Sequence, residues 1–194
     1  MSWILKQNSK KVIDTAQEDP SAIFLAEDEA WMYLQATTMT VWAVRGQTPI
    51  VRVDPGRTKV GFYGTINLHT GEELVTRSTE LNNTMTAQHL QEILDHHPAR
   101  RIVLLWDRAK WHRGPAIRKL VAENPRLQLI EFPTAAPDLN PQEQVWKKTR
   151  RAVSHNHIFP KLPELADCFE QHLRSNNFSS TFLERYGYNL VCPF

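Results

Sequence analysis

Cysteine is almost missing from this chain: two in 194 residues, Cys168 and Cys192, with no CxxC pair. That argues against a disulfide framework and against a cysteine-based structural zinc site, and makes a reducing compartment the default. Long apolar runs are missing too. None approaches the roughly 18 residues that a membrane span needs. The opening segment Met1-Ser2-Trp3-Ile4-Leu5-Lys6-Gln7 has no extended apolar core followed by a cleavage site, so no signal peptide is read. The expected location is cytoplasmic, without a membrane partner. An excess of either charge is also lacking: 23 Lys and Arg against 21 Asp and Glu leave a net charge of +2. The chain as a whole is not a polycation, so any polyanion must be met by local basic patches.

What remains is an ordinary globular composition, with 41% apolar residues in a length that fits one domain with a substantial core. Residues 3 to 17 read as a short basic helix. Residues 21 to 28 read as a strand in which Phe24, Ala26 and Asp28 share one face and Ile23 and Leu25 the other, so apolar residues on both faces predict a central position. The stretch 31 to 53 reads as a loop or short extended pieces, with a turn at Arg45-Gly46. Residues 58 to 67 and 72 to 78 predict a hairpin around His69-Thr70-Gly71.

After Asn82-Asn83 the period changes. Thr86 is the expected cap of a helix carrying Leu90, Ile93 and Leu94, which Pro98 ends. Residues 101 to 106 form a buried strand. Gly114-Pro115 opens a second helix with Ile117, Leu120 and Val121, followed by a strand from Leu127 to Phe132. Asn140-Pro141 opens a third helix, and Leu162, Leu165, Phe169 and Leu173 mark a fourth. Three early strands followed by helix-strand-helix-strand-helix imply an α/β fold: a mixed sheet with helices on both faces. The first and fourth strands become neighbours in such a sheet.

The chemistry lies in three carboxylates. Asp28 follows the apolar run Ala22-Ile23-Phe24-Leu25-Ala26, Asp107 closes Ile102-Val103-Leu104-Leu105-Trp106, and Glu143 begins the third helix, with thirty-five residues between it and Asp107. Two strand-end aspartates and a helix-start glutamate can converge although they are remote in sequence. Such an oxygen cluster suits hard divalent cations, whose paired use is the common device for cutting and joining phosphodiesters. Taken alone, Glu143 also fits a helix cap, three positions after Asn140. His155 with His157, and Cys168 with His172, have metal-like spacing but lack further partners for a closed zinc site.

Four blocks in order carry a family resemblance: Phe24-Leu25-Ala26-Glu27-Asp28-Glu29, Val41-Trp42-Ala43-Val44-Arg45-Gly46, Leu104-Leu105-Trp106-Asp107 with His112 following, and Pro137-Asp138-Leu139-Asn140-Pro141-Gln142-Glu143 with Val145-Trp146. Over about residues 20 to 155 the chain resembles the catalytic domain of DDE transposases, in the bacterial insertion-sequence branch of the mariner superfamily. The resemblance implies a ribonuclease-H-like fold, two Mg²⁺ or Mn²⁺ ions held by Asp28, Asp107 and Glu143, and DNA strand transfer, with TA-containing target DNA and a dimer in the active complex. Arg108 stands where the family usually has Asn. Family members normally carry helix-turn-helix domains ahead of this core. The expectation is therefore a catalytic part alone, with such a module on a separate subunit or reading-frame product, and nucleoid association when bound to DNA.

On this reading residues 1–20 are an N-terminal helical extension, 21–176 the catalytic domain, and 177–194 an irregular tail. Lys147, Lys148, Arg150 and Arg151 supply a basic helix for phosphates, with Lys147 and Arg150 on the face of Glu143. Lys110, Arg113 and Arg118 form a second basic cluster. Trp146 and Val153 belong to the opposing core stripe. His112 and Asn140 are candidate supports of the acidic site. A non-catalytic DNA-binding remnant and a nuclease of the same fold are the competing functions.

Overall fold

The computed structural model describes residues 14–15, 18–35, 38–47, 50, 56–133 and 140–178. Five strands, β1 (Ile23–Tyr33), β2 (Lys59–Asn67), β3 (Glu73–Ser78), β4 (Ile102–Trp106) and β5 (Leu127–Glu131), form one sheet in the order β3-β2-β1-β4-β5. β1 pairs antiparallel with β2 and parallel with β4, and β4 pairs parallel with β5. The helices are α1 (Asn83–His96), α2 (Pro115–Glu123), α3 (Pro141–Val153) and α4 (Leu162–Ser175), with a 3-10 turn over Lys110–Arg113.

β1 is central, as its two apolar faces require. Phe24, Ala26, Ala30 and Met32 join one core with Phe62, Ile66, Val103 and Leu105, covered by Val145 and Trp146 of α3 and by Leu165, Phe169 and Leu173 of α4. Ile23 and Leu25 join the other with Ile102, Leu104 and Trp106, covered by Leu90, Ile93 and Leu94 of α1 and by Ile117 of α2. Helices therefore lie on both faces, and the period-2 and period-3.6 patterns meet where the sequence places them.

Two expectations are corrected. β1 does not stop at Asp28 but continues to Tyr33, because β2 pairs with it along Leu25–Tyr33. Thr86 does not cap α1: Asn82 does, its side chain accepting from Met85 N at 3.0 Å, while buried Thr86 donates its hydroxyl to Asn82 O at 2.9 Å. Asn82 wins because its carboxamide reaches the first free N–H of the helix, whereas Thr86 lies a turn inside. The turn near Gly46 is present: Gln47 N donates to Val44 O at 2.9 Å and Gly46 takes φ 85°. Most of the expected helix over residues 3 to 17, the Pro137-Asp138-Leu139 part of the fourth block, Cys192 and the tail from 179 lie outside the described residues. Among the described residues no helix is long and apolar enough to cross a membrane.

Gly64, opposite Asp28 in the β1–β2 ladder, is where α3 comes closest to the sheet. A Cβ there would collide with Gln142 Nε2, Trp146 and Glu73 Oε1. Gly64→Ala is expected to cost about 1–3 kcal/mol by overpacking and to push α3 outward; urea titration of the folded chain measures it.

Candidate metal-binding active site

The parallel β1–β4 ladder ends at the pair Ala26↔Leu105. Asp28 and Asp107 each lie two residues beyond that pair, on adjacent strands at the carboxyl end of the parallel pair, where open α/β sheets place their sites. The β1–β2 ladder continues past this point, so Asp28 is held by backbone pairing with Gly64 while Asp107 has left the sheet for the following loop.

Asp28 faces α3. Trp146 Nε1 donates to its Oδ2 at 3.1 Å. Burial drives the carboxyl well above its ordinary range, and the negative charges of Glu143, Glu29 and Asp107 add to the rise. The charges of Glu143 and Asp107 are thus felt at Asp28, while the ligand atoms that gather within 4.8 Å of one another among the described residues are those of Glu27, Glu29 and His112. Arg150 lies against the same group: burial lowers its guanidinium, and the charges of Glu143 and Asp28 act against that lowering. One of its nitrogens also donates to Trp31 O at 3.4 Å.

Asp107 is half exposed at its side chain, and its Oδ1 accepts from Ala109 N at 2.8 Å, an Asx turn that shapes the start of the loop. Its carboxyl lies below the usual range because of the hydrogen bond with His112, with the Ala109 N–H contributing and partial burial opposing. His112 is buried. Its Nδ1 lies 3.0 Å from Asp107 O and 3.2 Å from Asp107 Oδ1, its Nε2 lies 3.0 Å from Glu29 Oε1, and its ring stacks on Trp106 at 4.1 Å. Burial disfavours the imidazolium, but the bonds to Asp107 and Glu29 outweigh it and push the ring up to about 11. His112 thus ties β1 to the loop that carries Asp107.

Glu143 stands in the first turn of α3, where a carboxylate is favoured by the helix dipole. Asn140 fixes where that turn sits. It is buried, its Nδ2 donates to Glu27 O at 2.9 Å, and its Oδ1 accepts from Gln142 N at 3.1 Å. One side chain therefore caps α3 and docks it on β1 a single residue before Asp28.

The expected basic residues divide. Lys147, Lys148 and Arg151 are exposed on α3, while Arg150 turns inward beside the carboxylates. Lys110, Arg113 and Arg118 are exposed. Arg113 lies 3.8 Å from Glu131, and Arg118 donates to Arg113 O at 2.8 Å, so these two are partly engaged within the protein. Cys168 is a free, exposed thiol. Sequence reasoning did not assign Glu27, Glu29 or Trp111 to the site, and gave Trp146 a packing role only. The signal for the glutamates was in the strand pattern: in a strand buried on both faces, acids at 27 and 29 must point away from Asp28, into the protein.

The fold is an α/β domain of the ribonuclease-H-like kind. A family model described as a DDE superfamily endonuclease matches residues 24–166. The chain belongs to that superfamily, and its described part is a DDE transposase catalytic domain. It is 25% identical over 133 residues to the insertion element IS630 uncharacterized 39 kDa protein of Shigella sonnei, covering 68% of this chain and 38% of that protein. Among solved structures it resembles the Mos1 transposase paired-end complex with left transposon end, with TM-score 0.68 and 16% identity over 97% of this chain and 58% of that one. The Mos1 mariner paired-end complex with Mn matches with TM-score 0.66 and 14% identity, over 97% of this chain and 58% of that one. The corresponding complex with Mg matches with TM-score 0.66 and 15% identity, over 96% and 60%. The chain thus spans well under two thirds of the length of these relatives.

Asp28 holds its proton more tightly folded than unfolded, so its contribution favours the fold at low pH and is lost as pH rises through the raised value. In chelator-treated protein, Asp28→Asn is expected to raise stability at neutral pH by about 1–2 kcal/mol. The gain should fade as pH falls toward the ordinary aspartate range; thermal melts across pH with EDTA measure both.

Proposed function

We propose that this domain cleaves phosphodiesters at the ends of a mobile DNA element and joins the resulting 3′-hydroxyl to target DNA, using Asp28, Asp107 and Glu143 as ligands for two Mg²⁺ or Mn²⁺ ions. The observation that supports this reading is the buried Asp28 carboxyl, which burial above all drives upward and which the negative charges of Glu143, Glu29 and Asp107 raise further. Mutual repulsion of this kind is relieved by a cation, and an all-oxygen donor set fits a hard one. Bound ions would activate water or a 3′-hydroxyl as nucleophile and stabilise the departing 3′-oxygen. The kinship with Mos1 complexes holding transposon ends, Mn or Mg supports the same substrate and ions here.

The protein's own groups orient and hold. Trp146 directs one oxygen of Asp28 and so fixes how its carboxyl is presented. His112 and the Ala109 N–H fix the rotamer of Asp107. Asn140 sets the depth of α3 and with it the reach of Glu143. Arg150 brings positive charge to the edge of the cluster, and exposed Lys147, Lys148 and Arg151 continue that charge along α3 toward the flanking phosphates. Lys110 and Arg113 would serve the strand passing the Asp107 loop. Hydrolysis and strand transfer need no covalent protein intermediate, so no nucleophilic side chain is assigned. Partners under this reading are element ends, TA-containing target DNA, a second copy of the domain, and a helix-turn-helix module that recognises the ends.

Oligonucleotides with a pre-cut 3′-hydroxyl and Mg²⁺ or Mn²⁺ test the proposal. Strand joining is expected from the native chain, and Asp107→Asn should reduce it to background while circular dichroism stays native. Full activity in that variant would remove Asp107 from the site. Cutting without joining would favour a nuclease, and binding without chemistry an assembly protein.

A further inference from the structure

Glu27 and Glu29 flank Asp28 on β1, so strand alternation sends both to the opposite face of the sheet. There they meet His112. One oxygen of each glutamate and one nitrogen of the histidine all lie within 4.8 Å of one another. His112 Nε2 is 3.0 Å from Glu29 Oε1 and 3.8 Å from Glu27 Oε2, and the side chains are 1%, 4% and 0% exposed, respectively. Two carboxylates in so dry a place are costly unless something positive joins them.

The hydrogen bonds inside the cluster do not complete it. Glu29 Oε1 accepts from Trp111 Nε1 at 2.5 Å as well as facing His112. Glu27 is left over: both of its oxygens are buried with no hydrogen-bond partner, although one points at the imidazole. Nδ1 of His112 is directed at the carbonyl and carboxylate oxygens of Asp107, so it keeps its proton when a cation displaces the one on Nε2, and the lone pair of Nε2 then points at the glutamates. A histidine whose far nitrogen donates to a carboxylate while its near nitrogen faces acidic ligands is the arrangement seen at metal-bound histidines.

We propose that Glu27, Glu29 and Nε2 of His112 form a second cation site, separate from Asp28, Asp107 and Glu143, that binds one divalent transition ion of the Zn²⁺ or Mn²⁺ class. The ion would take the place of the Nε2 proton, which leaves to solvent, and its two charges would balance the two carboxylates, including the unpartnered oxygens of Glu27. The mixed nitrogen and oxygen donors select such an ion over Mg²⁺. Metal–ligand bonds of about 2.0–2.2 Å require only a small contraction of a cluster this tight. The bound ion would clamp the Asp107 loop to β1 and act structurally.

The test uses the full chain carrying Asp28→Asn and Glu143→Gln, which removes two ligands of the other site, so failure here is distinct from failure of the proposed activity. After stripping with chelator and dialysis against Zn²⁺, elemental analysis should find one ion per chain, and the thermal midpoint should rise. Adding Glu27→Gln should weaken Zn²⁺ binding at least about tenfold. Because that variant could misfold, histidine ¹⁵N spectra of the folded double variant supply a second reading: Zn²⁺ should move the ring nitrogens of His112. No retained ion, retention unchanged by Glu27→Gln in a folded protein, or an unmoved His112 resonance would each overturn the proposal.

Discussion

Pairing of β1 on both edges is the constraint from which the rest follows. Its parallel partnership with β4 ends at Ala26↔Leu105, and its antiparallel partnership with β2 runs on to Tyr33. The backbone at residues 27 to 29 is therefore held rigidly while the neighbouring strand turns away. That difference opens a gap at one end of the sheet without loosening the strand that lines it. Asp28 can then be buried beside other acids because the ladder, rather than its own interactions, keeps it in place.

The same strand feeds two faces. Alternation sends Phe24, Ala26 and Asp28 toward α3 and α4, and Ile23, Leu25, Glu27 and Glu29 toward the other layer. Each face carries an apolar core first and acids after it. Four side chains bridge from other elements to this short segment: Trp146 to Asp28, Asn140 to the backbone of Glu27, and His112 and Trp111 to Glu29. The acidic centre is thus assembled by hydrogen bonds that converge on three consecutive residues. Its members repel one another, which is the usual trade of stability for function.

Charge on α3 follows the same economy of position. Thr149, Trp146, Val145 and Gln142 are buried against the sheet, so the basic residues between them must face outward or sideways. Arg150 is the sideways case, drawn to Asp28 and Glu143. Lys147 and Arg151 keep their solvent exposure. Under the proposed function, a helix that presents its glutamate at one end and its cations along the outer face would provide both a ligand and a track for phosphates.

Local pattern by itself determined the element order, the central place of β1, the hairpin and the helix stripes, because period-2 and period-3.6 burial are written in short windows. Tertiary structure decided what depended on partners distant in the chain. Strand β1 gained five residues from pairing with β2, Asn82 rather than Thr86 met the free N–H groups of α1, and Arg150 left the outer face for the acids. His112 is more than eighty residues from Glu29, and although the strand pattern turns both glutamates inward, no local signal says how fully they will be desolvated or which group will meet them. Only the packing of the loop after β4 against β1 settles that, because desolvation is a property of the assembled neighbours and not of the residue.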